Sequence, residues 1–192
     1  MKLEHLLIST LLMSSTMAAD IHTAKHPLNI KQEGIGYIKM LGGALKTELK
    51  THMKQDPTGV EALSFCTGSA ENITKEVNSK LPAYAKVRRT ALKVRNATTN
   101  RADATDKKVM QAYQDAIKEK TFTPKDIKVI EEGNVTRIYK PLITKNVCLK
   151  CHGDNLNPKL SEALKSAYPN DKAIGFKEGE LRGVIVAEIT KH

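Results

Sequence analysis

The sequence predicts an α+β domain around an antiparallel sheet. Two apolar stripes at helical spacing come first, strand-like segments fill the second half, and short helices are inserted among those strands. A length of 192 residues suits one domain, because single cores commonly run to roughly 100–200 residues. Hydrophobic residues at 40% and charged residues at 27% exclude a disordered chain, a collagen-like repeat and a polytopic membrane protein.

The chain opens on a segment read as a secretory signal. Lys2 precedes an apolar run from Leu6 to Met17 broken only by Ser and Thr, followed by Ala18, Ala19 and Asp20. That run falls short of the about 20 apolar residues needed to span a bilayer. The expectation is therefore a signal peptide over 1–19, a single domain over 20–192, a periplasmic location and no transmembrane segment in the mature chain. Loss of Lys2 and Glu4 cancels, so the mature charge stays near +10.

The mature chain then reads in order. Ile35, Ile38, Leu45, Leu49 and Met53 predict a helix over 33–53. Asp56-Pro57 offers an N-cap and a first-turn proline for a second helix, whose stripe is Val60, Leu63, Cys66, Ala70, Ile73 and Val77. Val87 to Arg95 alternates basic with apolar or small residues, as in a half-buried strand, and Asn96 to Asp106 reads as a surface loop. Val109, Ala112, Tyr113, Ala116 and Ile117 suggest a third helix. Strands over 127–131 and 135–142 flank Gly133-Asn134, Asn157-Pro158 opens a short helix to about Ala167, and 181–189 forms a closing strand.

Cys148-Leu149-Lys150-Cys151-His152 is C-x-x-C-H, the attachment signature of c-type haem. Two thiols at this spacing reach both vinyl groups along one porphyrin edge, and the next residue brings an imidazole to the iron. Thioether formation follows export, which agrees with the signal segment. A thioredoxin-like dithiol would normally open a long helix, whereas Gly153-Asp154 breaks this one almost at once. A structural zinc site wants a second ligand pair, and Cys66 stands alone. A Cys148–Cys151 disulfide leaves His152 unexplained. A covalent porphyrin would also supply a large flat body to a chain with no Trp and only 4% aromatics.

Three segments, VRRTALKVRN (87–96), YKPLITKNVCLKCHGD (139–154) and YPNDKAIGFKEGELRGVIVAEI (168–189), resemble the periplasmic single-haem proteins with a PAS-like haem-c domain. The resemblance spans about 35–190. It implies a PAS-like α+β fold with a central antiparallel sheet, one haem held covalently by Cys148 and Cys151, and His152 as proximal iron ligand. One departure is Ala97-Thr98-Thr99, where the family usually continues with proline after Arg95-Asn96.

Candidates for the sixth coordination position are Met40, Met53, Met110, His22, His26, His52, His192 and Cys66. Cys66 lies on the apolar stripe of its helix, and composition and spacing alone favour a small buried hydrophobe there. The resembling family places a cysteine on an early helix, which implies Cys66 as the distal ligand. A thiolate lowers the reduction potential where methionine raises it. Ligand release on reduction would make the protein a redox or small-ligand sensor; a simple electron-transfer cytochrome is the alternative. Nothing supplies the distal acid–base pair of a peroxidase, so no enzymatic activity is expected.

The +10 charge is partly clustered in Arg88, Arg89, Lys93 and Arg95, of which Arg88 and Arg95 are candidates to neutralise haem propionates. The dispersed lysines suit an acidic redox or signalling partner. Export and the lack of stacking aromatics argue against nucleic acid.

Overall fold

The computed structural model describes residues 29–123 and 125–191, and within α2 the side chain of Ser64 is left aside. Residues 1–19, expected above to be a signal peptide, and His22, His26 and His192 lie outside the described residues. Helix α1 (Ile30–Gln55) starts where the Asn29 side chain accepts the Lys31 N–H, and it buries Gly34, Ile38, Leu41 and Leu45. The stripe read from the sequence runs past the sheet, so Leu49 is 39% exposed. Helix α2 (Val60–Ser79) begins later than Asp56-Pro57 suggested, with Gly59 as N-cap. Asp56 still serves it, because its carboxylate accepts the Val60 and Glu61 N–H groups at 3.1 and 3.2 Å.

Strand β1 (Ala85–Thr90) is shorter than the predicted Val87–Arg95. Its partner β4 (Leu181–Thr190) pairs from Ile189 opposite Ala85 to Val184 opposite Thr90, and below that β4 pairs with β3 alone. With no ladder partner the basic stretch after Thr90 leaves the sheet. Helix α3 (Ala104–Lys118) begins inside the predicted loop, on a capping box in which Asp103 and Asp106 each bond the other's backbone N–H. The hairpin of β2 (Lys128–Glu132) and β3 (Val135–Ile143) turns at Gly133-Asn134 as predicted. Helix α4 (Asn146–His152) carries the C-x-x-C-H residues. Helix α5 (Pro158–Ala167) opens on Asn157, whose side chain accepts the Lys159 and Leu160 N–H groups.

The four strands form one antiparallel sheet in the order β1-β4-β3-β2. Helices α1 and α2 cover one face, where Ile38, Leu41, Leu45, Phe65 and Val77 meet Val87, Ile138, Ile185 and Ala187. Helix α3 covers the other, where Val109, Met110 and Tyr113 meet Tyr139, Val184 and Val186. This alternation along β4, one side chain up and the next down, makes the α+β sandwich. Helix α5 packs on the outer side of α2 through Leu63, Leu160 and Leu164. Among the described residues no helix is long and apolar enough to cross a membrane.

Candidate functional site

The C-x-x-C-H residues occupy one short helix whose end is fixed by the loop from Asp171 to Phe176. The Gly153 N–H closes the last turn on Leu149 O at 2.9 Å, while the Phe176 N–H donates to His152 O at 2.9 Å. His152 Nδ1 lies 2.6 Å from the Ala173 carbonyl oxygen. A carbonyl only accepts, so Nδ1 carries the hydrogen and Nε2 presents a lone pair. Burial, then the Arg182 and Arg95 guanidiniums, push the His152 pKa down to about 2. The imidazole is therefore neutral, oriented and ligand-competent at neutral pH. Phe176 meets its ring edge-on, with centroids 6.2 Å apart.

Arg95 ties this loop to the helix. Its Nε donates to Asp171 Oδ2 at 2.8 Å, and its Nη2 donates to Cys151 O at 2.6 Å and Ala173 O at 3.4 Å. Asp171 accepts the Ala173 N–H with its other oxygen at 2.7 Å. The same carbonyl that fixes His152 is thus positioned from both sides. Arg95 and Asp171 are 11% and 9% exposed, so the pair is little screened by solvent. The loop after Arg95 closes without the family's proline: Asn96 Oδ1 accepts the Thr98 N–H at 2.9 Å, a turn that asparagine makes for itself.

Cys151 sits against Leu63, Leu160 and Leu164, between α2 and α5. Gly59 keeps that approach open, because its φ is +91° and a Cβ there would lie 3.3 Å from Cys151 Sγ. Cys148 is half-buried, and its Sγ accepts the Lys145 N–H at 3.4 Å. All three cysteines are free thiols, so the disulfide reading is not met. The described residues contain no group of three or more His, Cys, Asp and Glu side chains placed to hold a bare metal ion, and the zinc reading lacks a donor set.

Cys66 projects from α2 towards the same region. It packs on the α1–sheet cluster, and its carbonyl accepts the Tyr168 hydroxyl at 3.3 Å. Burial raises its thiol pKa, opposed by Arg89, Arg95 and Arg182. Burial raises the Cys151 pKa, Arg95 opposes it and Cys66 adds to the rise, so both thiols share one electrostatic neighbourhood. Of the other sixth-position candidates, Met110 is fully buried on the α3 face, Met40 is 42% exposed, and His52 stacks on Phe65 at 5.0 Å.

One candidate is corrected. Arg88 does not face the site: strand alternation turns it to the α3 side, where Nη1 and Nη2 bond Asp106 at 2.9 and 3.0 Å and Nε bonds Glu188 at 2.7 Å. Its neighbour Arg89 points the other way with Val87, towards α2. Arg89 Nε is shut off from solvent with no hydrogen-bond partner. Arg182 joins it because the β3–β4 register slips between Leu142 and Ile143, leaving Arg182 as the extra residue of a bulge. Gly183 lets β1 approach closely at this point, since a Cβ there would stand 2.5 Å from Thr90 O. The re-aimed Arg182 lies 5.1 Å over the Phe176 ring. Asp171, Ala173, Phe176 and Arg182 all fall within the 168–189 segment quoted above, yet neither periodicity nor motif spacing marks them.

Beside the helix end a cavity of about 280 Å³ is lined by Gly153, Asp154, Leu156, Ser161, Ile174 and Gly175. Its size sits near the lower edge of the roughly 300–1,000 Å³ common for small-molecule sites.

The crystal structure of the cyanobacterial heme-protein Tll0287 matches with a TM-score of 0.65 and 21% identity, over 86% of this chain and 97% of that one. At that identity the likeness is one of fold. No curated protein matches significantly. A family model described as Tll0287-like matches residues 9–190, and the chain belongs to that family.

Proposed function

We propose that this chain is an exported single-haem c-type protein of PAS-like fold, acting as a redox or small-ligand sensor. The observation that carries the reading is His152: neutral, held by Ala173 through Nδ1, and presenting Nε2 beside two free cysteines at thioether spacing. The family match and the fold shared with a haem protein support it.

The residues fit the group. Cys148 and Cys151 would bond its vinyl carbons, His152 Nε2 would ligate the iron, and Cys66 is the donor for the opposite side. The 280 Å³ cavity is smaller than a porphyrin, and none of these four residues lines it. Held by these residues, the iron would supply one-electron redox chemistry. The chain's own part is to orient His152, keep it neutral, and surround the thiol with guanidiniums. Burial raises the Cys66 thiol pKa and those cations oppose it; bound ferric iron would favour the thiolate, and reduction would weaken that preference. A ligand released on reduction gives a local event with a structural readout through α2. No catalytic residue is assigned.

The periplasm is the proposed location, from the 1–19 segment, and an acidic protein the proposed partner, from the +10 charge. In visible spectra of the purified protein, the ferric form is expected to show a thiolate signature that is lost on reduction and absent from Cys66→Ala. Spectra unchanged by Cys66→Ala in both oxidation states would remove Cys66 and, with it, the basis for sensing over plain electron transfer.

A further inference from the structure

The guanidiniums of Arg89, Arg95 and Arg182 all act on Cys66, those of Arg182 and Arg95 also on His152, and their partners are unequal. Arg95 is committed: its Nε holds Asp171 and its Nη2 the Cys151 carbonyl. Arg89 and Arg182 have no such anchor. Arg89 faces α2 from β1, its Nε enclosed and unpartnered. The charges that favour its cationic form are Cys66 and Tyr168, both weak acids and neither a carboxylate. Arg182 makes one long bond, Nη1 to Lys93 O at 3.4 Å, and otherwise lies over the face of Phe176. Burial, then Arg95 and Arg89, bring its pKa down to about 10. Asp171 is the carboxylate bonded within this group, so the three guanidiniums outnumber it by two, and Lys93 Nζ, 4.3 Å over the same Phe176 ring, adds a further cation.

Enclosed guanidinium N–H groups without acceptors are costly. Arg89, with its Nε enclosed and unpartnered, and Arg182, with one long bond, flank the proposed haem seat and suit two anionic groups, which guanidinium recognises best as carboxylates.

We propose that Arg89 and Arg182 bind the two haem propionates. This rests on the haem reading above and deepens it, replacing Arg88 as a propionate contact and leaving Arg95 as a positioning residue for His152. The register slip that turns Arg182 into the site is then a device for placing a cation at the cofactor's carboxylate edge.

Resonance Raman spectroscopy of the haem-loaded protein tests this, because the propionate bending bands report hydrogen bonds to those carboxylates. Arg89→Gln and Arg182→Gln are each expected to shift a propionate bending band while leaving the His152 ligation bands in place. Each should also lower the reduction potential, since loss of a nearby cation favours the ferric form. Arg89→Lys and Arg182→Lys, which keep the charge but lose the fork, should retain the potential and still shift the band. Unshifted propionate bands in both Gln variants would overturn the proposal with the haem reading intact. A shift confined to the thiolate bands in Arg89→Gln would overturn it for Arg89, making that residue a partner of Cys66. Absence of haem from the wild-type protein would instead overturn the reading on which the proposal stands. Should a Gln variant fail to accumulate, the Lys variants alone decide, by the presence or absence of the band shift.

Discussion

The two faces of the sheet handle buried charge in opposite ways. On the α3 face, Asp106 is fully buried and saturated: it accepts two bonds from Arg88, one from Tyr139 and the Asp103 backbone N–H. Glu188 completes the set by holding Arg88 Nε. On the α2 face, no carboxylate of the described residues bonds Arg89 or Arg182, Cys66 is a free thiol, and His152 keeps an unused lone pair. Arg88 and Arg89 are adjacent in the chain, yet one belongs to a closed network and the other to an open one. A closed network needs nothing further and serves the fold; an open one is an account of what is to be bound.

The largest effect should come from breaking the closed face. Asp106→Ala leaves Arg88 with Glu188 and the more distant Asp103 at 3.8 Å, and removing one partner of a buried pair costs about 3–5 kcal/mol. The urea midpoint should fall accordingly while the visible spectrum of the surviving folded protein stays unchanged. A spectral change would show that the two faces are not independent.

The open face should show itself next, through pH. In the haem-free Cys148→Ala/Cys151→Ala chain, His152 has a folded pKa near 2 against an ordinary 6.5. Below pH 6.5 the unfolded state binds a proton that the folded state does not, so stability falls as pH drops through that window. Between pH 7 and pH 5 the loss should be about 2 kcal/mol by denaturant unfolding. His152→Gln should abolish that slope. A wild-type-like slope in His152→Gln would place its origin elsewhere, and the argument for an enclosed neutral imidazole would fail.

Much of the fold was legible because it rests on local chemistry. Asn157-Pro158 set the start of α5, Gly133-Asn134 set the hairpin, and the stripe from Val60 to Val77 set α2. The strand predicted to Arg95 ended at Thr90 because its length depends on what β4 does a hundred residues away, and no alternation in the strand itself records that. The loop read over 96–106 ended early because the Asp103–Asp106 capping box was hidden in a polar run. At the site, C-x-x-C-H was readable as a motif. Its support was not: Ala173 acts through a backbone carbonyl, Asp171 through Arg95, and Arg182 through a bulge. Each exists only after the loop folds back. Choosing between Arg88 and Arg89 likewise required knowing which face of β1 the site occupies.

The central claim, a haem bonded through Cys148 and Cys151, is tested most directly by the haem chromophore of protein purified from an exporting host and then denatured in alkaline pyridine. The account predicts a c-type ferrous pyridine spectrum that stays with the polypeptide, at one haem per chain, and is lost from Cys148→Ala/Cys151→Ala. A wild-type polypeptide that emerges without haem, or that releases it on denaturation, would contradict it.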